Sequence, residues 1–247
     1  MTITAVIPAR YDSTRLPGKP LAMIGGIPMI EHVWRRVSAV VPDTLIATDS
    51  QEIARVAAGF GANAVLTDPD ISTGTLRCFD ACAQVGCHSD VIINIQGDEP
   101  FISSDTMEAV LGRIAGSDAP DIATAATLYD PSDGYDSLVD PNRVKVVTDC
   151  RSRALYFSRA VIPARRDGGI GDYPYLIHHG IYAFRSHIIN EIASLGSCAL
   201  AEVEKLEQLA WLNAGYSIGV TVVDDPPLAI DTPDDLVRAN DLVNGKL

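Results

Sequence analysis

The 247-residue sequence is short of cations: 19 Lys and Arg stand against 32 Asp and Glu, a net charge of −13 at pH 7. That balance opposes binding to a nucleic-acid backbone, yet it leaves room for a local basic pocket that takes a small anion. No apolar run reaches membrane-spanning length, and the N-terminus lacks the basic flank and cleavage pattern of a signal peptide. A cytoplasmic protein without membrane contact is the expectation. The five cysteines form no Cys-x-x-Cys pair and no disulfide framework. Cys78, Cys82, Cys87 and His88 lie close in sequence, but their spacing fits no common zinc pattern and they read as small buried thiols on a helix. Low-complexity runs are absent too, so 47% hydrophobic and 21% charged residues describe an ordinary globular protein.

What is present is an alternation of patterns. Residues 4–8, 44–48, 64–67 and 91–96 are apolar runs that read as strands, and 28–40, 51–60, 74–85 and 104–114 read as amphipathic helices. This order predicts an α/β fold with a mainly parallel sheet flanked by helices, whose ligands gather at the carboxyl ends of the strands. The second half is less regular. Strands are expected at 122–129, 144–148, 153–157, 178–184 and 218–223, helices at 200–213 and 232–243, and a charged, glycine-rich mobile loop at 165–173. No linker or repeat separates domains, so residues 1–247 read as a single domain with a smaller inserted lobe.

Two segments at expected strand ends carry chemistry. After the first strand, Pro8, Pro17, Pro20 and Gly18 stiffen a loop that would hold Arg10, Arg15 and Lys19 as a preset cluster for a polyphosphate. A solvated basic turn is the alternative. Lys19 is followed by Pro20 and the Gly-x4-Gly-Lys-Ser/Thr spacing is missing, which argues against an ordinary P-loop ATPase. The strand at 91–96 runs into Gln96-Gly-Asp-Glu-Pro100, where Asp98 either closes a turn or holds Mg²⁺ against phosphate oxygens. Near the C-terminus, Thr232 caps a helix, Pro233 takes its first position and Asp235 completes a capping box, leaving Asp231 outside that duty. Asp98 and Asp231 make a magnesium pair if the fold brings them together. Farther back, His178 and Tyr182 share one face of a strand, with His179 and Ile181 on the other. In the helix at 200–213, Val203, Leu206 and Ala210 form an apolar stripe and leave Glu204, Glu207, Gln208 and Trp211 on another flank.

Together these segments resemble the CMP-KDO synthetases, the 3-deoxy-manno-octulosonate cytidylyltransferases, over nearly the whole chain. The matching text is Ile7-Pro-Ala-Arg-Tyr-Asp-Ser-Thr-Arg-Leu-Pro-Gly-Lys-Pro20, Ala47-Thr-Asp49, Gln96-Gly-Asp-Glu-Pro100, Val144-Lys-Val-Val147, Ala154-Leu-Tyr-Phe-Ser-Arg159, Gly180-Ile-Tyr182, Leu206-Glu-Gln-Leu209 and Asp231-Thr-Pro233. The resemblance implies a Rossmann-like nucleotidyltransferase fold, Mg²⁺-dependent transfer of CMP from CTP to KDO with release of pyrophosphate, and a homodimer. It implies nucleotide contacts from Pro8, Ala9, Arg10, Ser13, Lys19, Gly74, Thr75, Arg77 and Asp98, to which we add Arg15 from the same motif. Catalysis would fall to Arg10, Lys19, Asp98 and Asp231, with the two Asp residues holding Mg²⁺. Gln96, Arg159, Arg166, His178, Tyr182, Glu207 and Gln208 would receive a small acidic acceptor, cations serving its carboxylate and polar groups its hydroxyls.

The chain also departs from the family. Where the family reads His-x-Ser-Gly-Thr-Glu/Asp-Arg, this sequence has Ile71-Ser-Thr-Gly74-Thr75-Leu76-Arg77, and Ala201 and Ala210 stand where Glu and Arg are usual. Apolar replacements cannot repeat lost polar contacts, so the same transfer to another acid, a modified ulosonate or a small phosphonate, is one alternative. A catalytically silent nucleotide-binding module is the other.

Overall fold

A computed structural model of the chain describes residues 1–12, 16–116, 118–169, 171–226 and 228–246. It divides into two units, residues 1–107 with 227–247 and residues 108–226.

The first unit holds four parallel strands: β1 (Ile3–Ala9), β2 (Thr44–Thr48), β3 (Asn63–Leu66) and β4 (Val91–Asn94), side by side in the order β4-β1-β2-β3. All of β2 and β4 is buried, as is β1 from Thr4 onward, which is why these strands read as continuous apolar runs rather than alternating ones. Their register sets Ala9 beside Thr48 and Thr48 beside Leu66, so the carboxyl ends open on one edge. The helices α1 (Met29–Val40), α2 (Gln51–Gly59) and α3 (Gly74–Gln84) pack against these strands. In α1 the buried face is Met29, Val33 and Val37, one residue per turn, with Ile30 beside it. Ser50 caps α2 by accepting from the Ile53 N–H at 3.3 Å, and Thr73 caps α3 by accepting from the Leu76 N–H at 3.2 Å.

The returning chain completes this unit with the helix Pro233–Val243. Ile230 and Ala239 pack with Ile24 and Met29 in one apolar cluster. A short hairpin, Met23–Ile24 with Ile27–Pro28, was not expected from the sequence. It is tied to the helix through Asn240, which accepts from the Gly25 N–H at 3.0 Å and donates to the Met23 carbonyl at 3.1 Å. This packing returns residue 231 to the loop that follows β1.

In the second unit the strands β5 (Ile122–Leu128), β6 (Lys145–Thr148), β7 (Ala154–Ser158), β8 (Leu176–Arg185) and β9 (Ile218–Val223) pair mostly antiparallel. Among the described residues β5 pairs parallel with β9, whereas β5–β8, β8–β6 and β6–β7 are antiparallel. Residues 165–173 carry no helix or strand among the described residues.

The helix expected at 200–213 is two helices, α4 (Ala199–Glu204) and α5 (Gln208–Asn213). Lys205 takes the left-handed conformation at φ 53°, and the N–H groups of Lys205 and Leu206 both turn back to the Ala201 carbonyl. That break rotates the second helix relative to the expected stripe. Val203 is 84% exposed, whereas Gln208 and Trp211 are buried. None of the helices among the described residues is long and apolar enough to cross a membrane.

Candidate active site

At the carboxyl ends of β1 and β4 the first unit opens a cleft of about 330 Å³. Pro8, Ala9 and Arg10 form one wall, and Gln96, Gly97 and Asp98 another. The two strand ends approach closely because residue 97 has no side chain: a Cβ there would lie 2.7 Å from the Pro8 carbonyl oxygen. Gly18, at φ 66°, turns the chain so that Lys19 enters the cleft, and the Gly18 N–H anchors the turn on the Tyr11 carbonyl at 3.2 Å.

Lys19 Nζ donates to Asp98 Oδ2 at 2.5 Å and to Asp231 Oδ1 at 3.0 Å. The convergence is built into the backbone, since the Ile230 N–H donates to the Asp98 carbonyl at 2.9 Å. Asp235 accepts from the N–H groups of Asp231 and Thr232, so capping is done by Asp235 and the Asp231 carboxylate faces Lys19. Burial would lower the Lys19 pKa, but the Asp98 and Asp231 carboxylates outweigh it and hold the ammonium above its ordinary value. Glu99, next in sequence, is buried, and burial followed by the Asp98 charge pushes its carboxyl up to about 8.

Arg10 is half exposed in the cleft wall, with Nη1 donating to the Ser72 carbonyl at 3.4 Å and Nε 3.9 Å from Asp49. Asp49 also accepts from the Tyr11 N–H at 3.1 Å and pairs with Arg77 at 3.3 Å. Arg77 is fully buried, donates to Thr67 Oγ1 at 2.5 Å, and has its pKa lowered by that burial. Thr75 is buried as well and accepts from Asn94 Nδ2 at 3.2 Å. Of the three residues expected at the nucleotide in this segment, only Gly74 lines the cleft; the side chains of Thr75 and Arg77 turn inward. Ser13 and Arg15 lie outside the described residues. Asp12 and Asp49 were given no role from the sequence, although Asp49 follows β2 on the same strand edge, the signal that marks Asp98 after β4.

In the second unit an irregularity of register between His178 and Tyr182 keeps both rings in contact, 5.4 Å between centroids. Phe157 meets His178 edge-on at 4.9 Å and Trp211 meets Tyr182 edge-on at 5.0 Å. His178 Nε2 lies 3.0 Å from Thr124 Oγ1, and burial, then the neighbouring His179, push its pKa down to about 3. His178 is therefore neutral across physiological pH. Tyr182 is raised well above its ordinary value by burial and by Glu207. Gln208 is buried and its Nε2 has no hydrogen-bond partner among the described residues.

The two arginines expected at the acceptor differ. Arg166 is exposed. Arg159 donates its guanidinium to three carbonyls, Glu204 at 2.6 Å, Pro141 at 2.8 Å and Lys205 at 3.2 Å, while its own N–H donates to Glu204 Oε2 at 2.9 Å. Fully buried Lys145 completes the knot, with Nζ on the Arg159 carbonyl at 2.6 Å and the Asp140 carbonyl at 3.0 Å. The site roles read from sequence omitted Lys145 and Glu204, though a lysine inside the apolar strand 144–148 is a visible signal.

The family model for cytidylyltransferases matches residues 4–218. The 3-deoxy-manno-octulosonate cytidylyltransferase of Phocaeicola vulgatus is 42% identical over 97% of this chain and 96% of its own length. That of Pseudomonas fluorescens is 42% identical over 97% of each. Among solved structures, a CMP:2-keto-3-deoxy-manno-octonic acid synthetase complexed with CTP superposes with a TM-score of 0.91 at 36% identity, covering 100% of both chains. With a parallel sheet whose strand ends gather cations and carboxylates, and with relatives of this identity along its whole length, the chain belongs to the 3-deoxy-manno-octulosonate cytidylyltransferase family of CTP-dependent nucleotidyltransferases.

Proposed function

We propose that this protein transfers CMP from CTP to 3-deoxy-manno-octulosonate and releases pyrophosphate, with the nucleotide held in the cleft of the first unit. The observation that carries this reading is the meeting of Lys19, Asp98 and Asp231 at the strand-end cleft. In the reaction an acceptor hydroxyl oxygen bonds to the α-phosphorus and gives up its proton to solvent, while the bond from that phosphorus to the bridging oxygen breaks and pyrophosphate leaves with the electron pair. No covalent enzyme intermediate is required. Arg10 and Lys19 oppose the negative charge that grows on the departing phosphate oxygens.

Asp98 and Asp231 suit Mg²⁺, because the fold already holds one oxygen of each on a single cation, and Mg²⁺ is commonly held by one or two carboxylates plus substrate phosphates. When bound there, the ion supplies a Lewis acid for the phosphoryl oxygens. In the second unit, neutral His178 suits a hydroxyl rather than a carboxylate, as do Glu207 and the buried Gln208 amide. The acceptor carboxylate is assigned to Arg166, which is exposed, while the Arg159 guanidinium is taken up by backbone carbonyls.

A second reading, transfer to a different acid, is favoured by Leu76, half-buried in the first turn of α3 where the family has an ionisable residue. One assay ranks the two: pyrophosphate release from each nucleoside triphosphate with Mg²⁺ and a panel of KDO, a modified ulosonate and a small phosphonate. CTP with KDO is expected to give the highest kcat/KM. Faster turnover of another acid replaces the acceptor and keeps the cytidylyl chemistry, and release that no acceptor stimulates overturns the whole proposal.

A further inference from the structure

The position of Lys19 carries a consequence for the order in which metal and nucleotide bind. Its ammonium contacts one oxygen of Asp98 and one of Asp231, and the side chain is only 15% exposed. Two carboxylates held this close by the Ile230 N–H to Asp98 carbonyl bond repel each other unless a cation lies between them. Lys19 is that cation. A divalent ion seeking the same two oxygens would meet a like charge a few ångströms away, so the ammonium has to leave before the ion can take its ligands.

Only the tip of Lys19 needs to move. Its backbone is pinned, with the Gly18 N–H on Tyr11, the Lys19 N–H on Leu16 and buried Pro20 following in a 3₁₀ turn. Arg10 and Lys19 line the same cleft, so a triphosphate arriving there offers the ammonium new oxygen partners within the reach of one side chain. We infer that Lys19 is an electrostatic latch on the Asp98–Asp231 pair, which phosphate releases, so that divalent metal and triphosphate bind as a cooperative pair and metal alone binds weakly. The inference rests on the assignment of Asp98 and Asp231 as metal ligands. It adds that the same lysine keeps the metal out until nucleotide is present, a coupling over and above the direct contact of metal with phosphate.

The test uses Mn²⁺ as the probe, with free ion followed by electron paramagnetic resonance in the full-length protein. Without nucleotide, the parent should bind Mn²⁺ weakly, and Lys19→Met, which keeps the length and removes the charge, should bind it about tenfold more tightly or better. Beyond the Mn²⁺ taken up by CTP alone, adding CTP should tighten Mn²⁺ binding strongly in the parent and much less in the variant. Lys19→Gln provides a second neutral side chain if Lys19→Met melts early, and Lys19→Met combined with Asp98→Asn should lose the tight site. Equal Mn²⁺ affinity of parent and neutral variants without nucleotide overturns the latch while leaving the metal assignment standing. If Mn²⁺ fails to bind the parent even with CTP, the carboxylate assignment itself is wrong and the latch falls with it.

Discussion

The two units spend their polar residues differently. In the first, Arg10, Lys19, Asp98 and Asp231 line a cleft at the ends of parallel strands, and Lys19, Asp98 and Asp231 partner one another. In the second, Arg159 is committed to three backbone carbonyls, His178 to Thr124, and Tyr182 to an aromatic cluster. Parallel strands buried on both faces leave their ends as the place where charge can stand, so a charged residue just past such a strand is poised for a ligand. In the antiparallel unit, loop carbonyls such as those of Asp140, Pro141 and Lys205 take their donors from charged side chains, and the same residue types become struts.

Substitutions in the two regions should therefore fail in different ways. Asp98→Asn keeps the shape and loses the charge, and its kcat should fall by about 10²–10³-fold with the circular dichroism spectrum unchanged. A steady-state rate equal to the parent's would place Asp98 among the struts. The two arginines sharpen the contrast within the second unit. Arg166→Met should raise the KM for the acceptor by about 10–100-fold without changing the KM for CTP or the melting temperature. Arg159→Met should instead cost about 2 kcal/mol or more in denaturant unfolding, because three carbonyls lose their donor. If Arg159→Met leaves stability intact, the brace is not structural.

Gly97→Ala tests whether the cleft depends on the close approach of its two walls. The added methyl would meet the Pro8 carbonyl oxygen at 2.7 Å, so a loss of about 1–3 kcal/mol is expected in thermal unfolding, together with weaker CTP turnover. Wild-type stability would mean that the strand ends part without penalty.

The remaining effect is a pH dependence in the second unit. His179 is buried, and burial, opposed by Asp225, pushes its pKa down to about 4 from the ordinary 6.5. A histidine depressed in the folded state takes up its proton more readily when unfolded, so its stabilisation is present above pH 6.5 and drains away as pH falls toward 4. Between pH 7.5 and 5 this one residue should withdraw about 2 kcal/mol. Urea unfolding of His179→Gln should show a correspondingly shallower acid loss; a slope identical to the parent's would contradict the burial argument.

Much of the first unit was legible because each of its signals is local. Proline and glycine around the basic loop, apolar runs of strand length and the Thr232–Asp235 cap all act within a few residues, and the elements appear within one or two residues of their expected bounds. The inward turn of Arg77 was not legible, because it depends on Asp49, 28 positions earlier, approaching in space. In the second unit the break at Lys205 escaped notice for a related reason: left-handed helix ends usually carry glycine or asparagine, and a lysine there looks like helix interior. In place of one continuous stripe, Val203 of α4 is exposed and Trp211 of α5 is buried. The role of Arg159 as a strut was invisible for lack of any sequence mark that distinguishes a guanidinium bound to carbonyls from one awaiting a carboxylate.

The division between the units is tested most directly by calorimetric titration of CTP and of cytidine into the parent and Lys19→Ala proteins. If the first unit's cleft grips the triphosphate, Lys19→Ala should lose about tenfold or more in CTP affinity and leave cytidine binding unchanged, since a lost ammonium acts on phosphate. Equal losses for CTP and cytidine, or none for either, would contradict the account.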